Sequence, residues 1–350
     1  MRLRLSRRNL LLAALMPLPA WALPARTLQF PRDFGSHPDL RTEWWYITGH
    51  ATAGARVFGY QVTFFRSRVD ETQGMQSAFA AKQLIFAHAA VTDLAGGKLL
   101  HDQRIARAGM GVAEASESDT RVKLRDWSLE RQADGYHTRT PASGFTLDLH
   151  FAPTQPVLPQ GDAGLSRKGP EESQASYYYS EPQLATSGRL TLHGQPFDVR
   201  GTAWLDHEWS EALLHPDATG WDWIGMNLAD GSALTAFRLR RRDGSALWAG
   251  GSFRTAARVL RVFSRDEVSF EAGRKWKSEG SQATYPVEWN MQTPAGRFKV
   301  KALLDNQELD SRGSTGAVYW EGLSDLLDER GQPVGRGYLE MTGYAQSLKF

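Results

Sequence analysis

The sequence predicts an all-β protein built from two consecutive antiparallel β-barrels. Three observations carry this prediction: short runs in which apolar and polar residues alternate, turn signals that recur between these runs, and a composition of 11% aromatic residues with 33 glycines in 350 residues. Alternation with a period of two is typical of strands, aromatic side chains pack well on pleated surfaces, and glycine makes turns. The length suits two domains of ordinary size.

The first 22 residues have the features of a secretory signal of the twin-arginine type. Basic residues precede the apolar stretch 10–18, a small-residue pattern follows at 20–22, and SRRNLL (6–11) resembles a twin-arginine core. The basic residues are Arg2, Arg4, Arg7 and Arg8. A short N-terminal helix is the alternative, but prolines at 17, 19 and 24 would interrupt it. We therefore expect cleavage after Ala22 and a periplasmic location.

Net charge, the length of the apolar runs and the cysteine content argue against several classes of function. The signal segment carries four arginines and no acid, so the formal net charge of +2 becomes −2 without it. No dense Lys/Arg stripe remains, which argues against a nucleic-acid partner. No apolar run reaches about 18 residues, so the chain is not expected to span a membrane. There is no cysteine for a disulfide or a thiolate site.

Strand-like segments follow one another along most of the chain. In 57–66 apolar residues alternate, and this run follows 43–50 across a short connection with Gly54, which predicts a hairpin. Other predicted strands are 145–151, 233–240 and 297–304. A helix or a mobile connection is expected within 71–88, and a long loop rich in proline and glycine at 153–175. We place the domain boundary just after this loop, with an N-terminal barrel at 27–182 and a C-terminal barrel at 183–350.

The segment TAWLDHEWS (202–210) is the strongest candidate for chemistry. In an extended strand His207 shares a face with Leu205 and Trp209, while Asp206 and Glu208 point the other way with Trp204. In the segment that follows, Trp221 and Trp223 share one face and Asp222 lies opposite. A histidine, or a carboxyl raised in pKa by burial among indoles, can donate or accept a proton. The candidate catalytic residues are Asp206, His207 and Glu208.

A structural role for the same residues stays open. Asp-His-Glu beside tryptophan can form a satisfied hydrogen-bond cluster that fixes strand register. A metal site is disfavoured, because His207-Glu208 lacks the second histidine of an HExxH motif and His215 is not at helical ligand spacing. We expect no cofactor. Neither a G-x-S-x-G elbow nor a nucleotide-binding glycine motif is present.

Aromatic residues that could line a binding cavity occur in two further places. The run 41–50, which His37 precedes, places Glu43, Trp45 and Ile47 on one face and Trp44, Tyr46, Thr48 and His50 on the other. A third cluster, 176–180, holds three tyrosines. Core packing is the default interpretation of such rings, and a lined barrel mouth is the functional one. The candidate substrate-binding residues are Trp44, Trp45, Tyr46, Tyr178, Trp209, Trp221 and Trp223.

Taken together, these segments resemble one family. It comprises the AttH-like "predicted secreted hydrolases" and the carotenoid 1,2-hydratases (hydroxyneurosporene synthases), and the resemblance runs in consistent order from about residue 30 to the C-terminus. It implies two lipocalin-like (calycin) barrels and an export signal. The segments that carry it are EWWYITGH (43–50), FGYQVTFFR (58–66), PVLPQGDAGLSRKG (156–169), SYYYS (176–180), WLDHEWS (204–210), GWDWIGMNLADG (220–231) and GRGYLEMTGY (335–344).

The resemblance also implies a chemistry. The hydratases add water across a terminal carbon–carbon double bond without a redox cofactor, through a cation that aromatic faces can stabilise. His207 and Trp209 match the family's His-x-Trp, and Asp206 matches its preceding acid. The hydratases also carry a Tyr and an Asp a few dozen residues later, whereas the stretch 234–238 here has neither.

The expected function is therefore hydratase- or hydrolase-like action on an apolar, unsaturated or lipid-like molecule. Asp206 or Glu208 would be the acid, His207 the base that activates water, and Trp209, Trp221 and Trp223 the walls. The first alternative is a periplasmic carrier of a hydrophobic ligand without catalysis, because AttH-like proteins resemble partners of ABC-type export systems. A structural or assembly factor of the cell envelope is the second.

Overall fold

The computed structural model describes residues 22–212 and 214–348, and within these ranges the protein is all-β. Two short 3-10 turns, Arg32–Phe34 and Asp70–Thr72, are the helical elements of the described residues. No helix among them is long and apolar enough to cross a bilayer. The expected signal segment, 1–22, lies outside the described residues except for its last position.

Thirteen strands form the first sheet, and every pairing in it is antiparallel. They are β1 (Thr42–Ala53), β2 (Arg56–Arg68), β3 (Gln83–Asp93), β4 (Lys98–Arg107), β5 (Ala113–Ala115), β6 (Arg121–Leu124), β7 (Trp127–Gln132), β8 (Gly135–Ala142), β9 (Phe145–Ala152), β10 (Leu158–Pro159), β11 (Leu165–Arg167), β12 (Ala175–Leu192) and β13 (Gln195–Ser210). The spatial order is β4-β3-β2-β1-β13-β12-β9-β8-β7-β6-β5, with β10 and β11 paired to β12. Strands β3 and β4 approach β5 and β6, so the sheet curls into a nearly closed barrel.

The remaining strands form a second large antiparallel sheet and one small hairpin. They are β14 (Gly220–Leu228), β15 (Ala233–Arg240), β16 (Ala246–Arg254), β17 (Leu260–Phe263), β18 (Ser269–Ala272), β19 (Lys275–Lys277), β20 (Thr284–Pro286), β21 (Glu288–Thr293), β22 (Gly296–Ala302), β23 (Glu308–Ser311), β24 (Ala317–Leu327) and β25 (Pro333–Met341). The order is β17-β16-β15-β14-β25-β24-β22-β21-β18; β23 pairs with β24, and β19 with β20. The lipocalin-like, all-β fold class is thereby confirmed.

The sheets divide at a different place from the expected domain boundary. Residues 182 and 183 fall inside the long strand β12, which pairs with both β9 and β13, and the second sheet begins only at Gly220. The proline- and glycine-rich loop misled the assignment, because β12 and β13 return to close the first sheet after it. The segment 153–175 itself contains β10 and β11 and packs on β12.

No helix forms within 71–88. A 3-10 turn ends at Thr72, and β3 begins at Gln83. The helix-forming composition of this segment is overridden by tertiary pairing, since β3 hydrogen-bonds on both sides, to β2 and to β4. By contrast, the predicted hairpin of β1 and β2 is confirmed, as are the strands at 145–151 and 233–240 and most of the one at 297–304.

Strand alternation separates the buried residues into distinct cores. One core fills the first barrel and includes Trp45, Leu205 and Trp209, and another lies inside the second sheet around Trp289 and Trp320. A third cluster lies between the two sheets. Its buried members are Tyr46, Trp204, Ala218, Trp223, Ala233, Phe237, Leu239, Leu247, Leu323 and Tyr338. We call this third cluster, together with the polar groups that face it, the seam.

A polar bridge fixes the two sheets against each other beside the seam. Asn227 on β14 accepts a hydrogen bond from the Gln183 backbone N–H at 2.8 Å and donates one to the Ala203 carbonyl at 2.9 Å. Asn227 is buried. Its amide therefore satisfies two backbone groups of the first sheet from a strand of the second.

Replacing Asn227 by alanine should lower the free energy of unfolding by about 2 to 4 kcal/mol, because a buried donor and a buried acceptor lose their partners. Chemical denaturation followed by tryptophan fluorescence measures the change. Asn290→Ala is the control, since Asn290 is exposed on β21, and its effect should stay within about 0.5 kcal/mol. Equal effects of the two substitutions would contradict the bridge.

Candidate functional site

Strand β13 presents functional side chains on both of its faces. Its C-terminal half is buried throughout, with Leu205, His207 and Trp209 inside the first barrel and Trp204 in the seam. Asp206 and Glu208 share the seam face with Trp204, as the two-residue period requires. The predicted division of the two faces is confirmed, and it places His207 on the opposite side of the strand from both carboxyls.

Asp206 is the centre of the seam on the side of the first sheet. Its carboxyl accepts hydrogen bonds from Tyr178 Oη at 2.8 Å, Ser180 Oγ at 2.5 Å and Trp204 Nε1 at 2.7 Å. Burial raises the pKa of Asp206 to about 7, although the hydrogen bonds oppose that rise. A carboxyl with this pKa exchanges a proton near neutral pH, as a general acid or base must.

Glu208 differs from Asp206 because it has a cation beside it. Lys168 Nζ lies 2.9 Å from Glu208 Oε1, and Ser176 donates a hydrogen bond to the same oxygen. The ammonium also lies over the rings of Tyr178 and Phe237, at 4.7 and 4.4 Å from their centroids. Lys168 comes from the loop that precedes β12, so this loop covers one side of the seam.

The second sheet contributes two glutamates that the sequence analysis did not select. Glu321 on β24 pairs directly with Glu340 on β25, and Glu340 pairs with Trp223 on β14, so the three side chains share one face. Burial raises the pKa of Glu340 to about 7, and the nearby charge of Asp206 adds to the rise. The pKa of Glu321 is raised well above its usual value by burial and by Glu340.

These glutamates could not be found by local pattern. Glu340 is the one acid of β25, Glu321 shares β24 with Asp325, and the two glutamates meet only because β24 and β25 are neighbours. Glu340 does lie in GRGYLEMTGY, one of the segments that carries the family resemblance, and this is the one signal that pointed toward it. Across the seam, the ring of Tyr46 packs edge-on against Trp223 at 5.4 Å. Burial and the nearby carboxyl of Glu321 raise the pKa of the Tyr46 hydroxyl well above its usual value.

Inside the first barrel His207 belongs to a different group of residues. Its Nε2 lies 2.9 Å from Glu43 Oε1, its Nδ1 lies 3.1 Å from Tyr179 Oη, and its ring stacks on Trp45 at 4.6 Å. The side chain is fully buried, and that burial lowers the pKa of His207 to about 4. His207 is therefore a neutral, doubly hydrogen-bonded imidazole.

Glu43 connects His207 to the segment before β1. Its carboxylate lies 2.8 Å from His37 Nδ1 and accepts a hydrogen bond from Arg66 Nε at 2.8 Å. The other nitrogen of His37 lies 3.0 Å from Asp33 Oδ1, and the His37 ring stacks on Trp209 at 3.9 Å. We call Asp33, His37, Glu43, Arg66 and His207 the barrel cluster.

The segment before β1 is held in place by its own backbone contacts. The Phe34 carbonyl accepts hydrogen bonds from Trp45 Nε1 at 3.1 Å and from Thr120 Oγ1 at 2.8 Å. The Tyr177 hydroxyl donates to the Pro24 carbonyl at 2.6 Å. These contacts place His37 beside β1 and β13, which no spacing in the sequence indicates.

The predicted site residues therefore fall into two groups. Five of the seven candidate binding residues belong to the seam with Asp206 and Glu208: Trp44, Tyr46, Tyr178, Trp221 and Trp223. Trp45 and Trp209 lie in the barrel with His207. The stretch 234–238 supplies Phe237 to the seam, whereas Leu234 and Ala236 face the interior of the second sheet.

Comparison with known proteins places the fold and the sequence in one group. A family model described as AttH-like matches residues 21–344. A crystal structure of an AttH candidate from Nitrosomonas europaea is 49% identical, with a TM-score of 0.86, covering 92% of this chain and 99% of that one. No match was found among curated proteins.

More distant structures share the fold. Kievitone hydratase from Nectria haematococca is 15% identical, with a TM-score of 0.69 over 93% of this chain and 98% of that chain. The protein CghA, solved with Sch210972, is 14% identical, with a TM-score of 0.55 over 88% of each chain.

The raised pKa of Asp206 predicts a pH-dependent stability. In the folded protein this carboxyl stays protonated up to about pH 7, whereas its ordinary pKa is 3.8. Its contribution to stability is complete below the unfolded pKa and is lost as pH rises through the folded one. The free energy of unfolding should therefore fall between these values by up to about 4 kcal/mol through this group.

Urea denaturation at about pH 4.5 and about pH 7.5 tests this linkage. Asp206→Asn should show a smaller decline than the unsubstituted protein, because the amide does not titrate. Asp266→Asn, at an exposed position on the surface, should keep the full decline. A decline of the same size in Asp206→Asn would mean that Asp206 is already ionised in the folded state.

Proposed function

This chain belongs to the AttH-like family, and from that premise we propose that it is a hydratase-like enzyme that binds an apolar, unsaturated or lipid-like molecule in the seam. The observation that carries the proposal is Asp206, a buried carboxyl with a pKa of about 7 among tryptophan and tyrosine rings. A proton held on such a group can be transferred to a substrate that has no polar handle of its own.

Hydrogen bonds position the proposed acid. Trp223 Nε1 lies 3.4 Å from Tyr178 Oη, which in turn donates to Asp206 Oδ2. This chain of donors extends from the second sheet to the first across the seam. It holds the carboxyl in one orientation and connects it to a ring that would contact the substrate.

The proposed reaction adds water across a carbon–carbon double bond. Asp206 gives its proton to one alkene carbon, and the other carbon becomes cationic beside the rings of Tyr46 and Trp223. Faces of aromatic rings attract such a charge. The oxygen of a water molecule then bonds to the cationic carbon, and the proton that this water loses passes to the carboxylate of Glu340. Return of one proton from Glu340 to Asp206 through solvent completes the cycle.

The other candidate catalytic residues have different roles in this proposal. Glu208 is paired with Lys168. Its carboxylate would stabilise the cationic carbon of the substrate, and the ion pair holds the loop that carries Lys168 against the seam. His207 supports β13 from the barrel side and does not contact the substrate, because the strand lies between it and the seam. This replaces the sequence-based assignment of His207 as the base.

Partly buried tryptophans support access from solvent. Trp44 and Trp221 pack against the seam cluster, yet both remain partly exposed, unlike Trp204 and Trp223. An apolar molecule could enter along these rings. The Tyr46 hydroxyl and the Glu321 carboxyl, which interact with each other in the seam, would exchange that contact for hydrogen bonds to a polar end of such a molecule or to the attacking water.

A carrier function is the second candidate, and the same partly exposed indoles favour it. A periplasmic protein that hands a hydrophobic ligand to an ABC-type export system needs an aromatic seam and no proton transfer.

Export itself is part of the proposal and rests on the arginine-rich segment before Ala22. Cell fractionation of the untagged chain, with and without Arg7 and Arg8 replaced by lysine, tests that part.

Turnover tests the enzymatic proposal. The protein is incubated with an acyclic polyene, an unsaturated fatty acid and a fatty-acid methyl ester, and products are analysed by mass spectrometry. Hydration gives one product heavier by one water, ester hydrolysis gives two smaller products, and a carrier returns the ligand unchanged. Asp206→Asn should lower turnover at least 100-fold, because general acid catalysis contributes about that much or more.

The matched control is Asp198→Asn, at an exposed surface ion pair with Arg189, which should leave turnover unchanged. Binding to each variant is followed by quenching of tryptophan fluorescence, so that a loss of turnover can be separated from a loss of binding. Full activity of a folded Asp206→Asn protein would exclude Asp206 as the acid.

A further inference from the structure

The barrel cluster has no part in the proposed chemistry of the seam, yet it brings three metal-ligand atoms together. Nδ1 of His37, Oε1 of Glu43 and Nε2 of His207 all lie within 4.8 Å of one another, and the three residues are buried. Both ring nitrogens point at the same carboxylate oxygen, at 2.8 and 2.9 Å. Two imidazoles and one carboxylate are a common donor set for zinc and for other divalent transition metals.

In each of the three residues, the polar atom that faces away from the proposed metal position has a hydrogen-bond partner, as is usual for metal ligands. A metal-bound imidazole nearly always has an oxygen at its second nitrogen. Here Asp33 Oδ1 lies 3.0 Å from His37 Nε2, and Tyr179 Oη lies 3.1 Å from His207 Nδ1. Both rings are thereby oriented with the inner nitrogen toward Glu43.

The carboxylate of Glu43 is oriented in the same way. Its Oε2 accepts hydrogen bonds from Arg66 Nε at 2.8 Å and from Ser36 Oγ at 2.9 Å. Oε1 accepts a hydrogen bond from the His37 backbone N–H at 3.1 Å and is the atom on which the imidazoles converge, so Glu43 would bind through this one oxygen. Arg66 shares the charge of this carboxylate, and the site should therefore hold a divalent ion less tightly than a site with three unshared ligands.

Neighbouring aromatic rings hold the donor side chains in place. Trp45 stacks on His207 and Trp209 stacks on His37, so neither ring can rotate freely. Glu43 and His207 lie on the neighbouring strands β1 and β13, whereas His37 precedes β1. His37 is the one ligand with measurable exposure, 9%, and its edge provides the entry path for an ion.

We propose that His37, Glu43 and His207 form a mononuclear site for a divalent transition metal, with zinc as the reference ion. Each imidazole would bind the ion through its inner nitrogen and carry its one proton on the outer nitrogen, beside Asp33 Oδ1 for His37 and Tyr179 Oη for His207. Around a tetrahedral ion with bonds of about 2.0 to 2.2 Å, ligand atoms lie about 3.3 to 3.6 Å apart, so Glu43 Oε1 must move away from each ring nitrogen by about half an ångström. Water from the His37 side would complete the coordination.

Titration with cobalt(II) and then zinc tests the site, using the untagged chain after removal of metals by chelation. Cobalt should bind at one equivalent with a visible absorption band of a four- or five-coordinate ion, and zinc should abolish the band. X-ray absorption of the zinc-loaded protein should show two imidazole ligands.

Variants locate the ligands. His37→Gln and Glu43→Gln should each weaken cobalt binding at least tenfold, while His137→Gln, at a partly exposed histidine paired with Asp148, should not change it. Circular dichroism checks that each variant is folded. If both ligand variants fail to fold, the absorption spectrum and ligand count of the unsubstituted protein still decide the question.

Two results would overturn the proposal. One is that the unsubstituted protein shows no saturable binding of cobalt at one equivalent, which would mean that hydrogen bonds alone hold the barrel cluster together. The other is an unchanged affinity in folded His37→Gln, which would place the ion elsewhere. Neither result affects the proposal for the seam, because no residue of the barrel cluster transfers a proton or contacts the substrate there.

Discussion

The two-residue period of β13 is the constraint on which the rest of the structure depends. At its C-terminal end this strand has no solvent face, because the first barrel lies on one side and the second sheet on the other. Every side chain from Ala203 to Ser210 must therefore be accommodated in one of two interiors. Asp206 and His207 are adjacent in sequence and belong to different chemical environments for this reason alone.

Asp206 and Glu43 are both buried carboxyls, but their pKa values are shifted in opposite directions. In the seam, Asp206 has neutral hydrogen-bond donors, and desolvation dominates, so the carboxyl keeps its proton up to about pH 7. In the barrel, Glu43 has an arginine and two imidazoles beside it, and its pKa is lowered well below the usual value despite equal burial. An ionised carboxylate inside a protein needs such partners, since an unpaired one would shift its pKa and neutralise instead.

The sequence allowed the all-β class, the β1–β2 hairpin and the division of faces on β1, β13 and β14 to be predicted, because each depends on local alternation. It did not allow the assembly of the site to be predicted. Glu321 and Glu340 meet through strand pairing, and Lys168 reaches Glu208 from a loop that composition marked only as irregular. The same loop suggested a domain boundary too early, because nothing local shows that β12 and β13 close the first sheet.

The position of β13 has a consequence for how such a protein can change through evolution. The first sheet ends with the strand that carries Asp206, and the second sheet begins ten residues later with the strand that carries Trp223. Each half thus exposes an acidic, aromatic surface when it is separated from the other, so neither half is a self-sufficient module. Recombination between relatives should preserve the pair as one inherited unit, with crossovers tolerated in peripheral turns rather than at the junction.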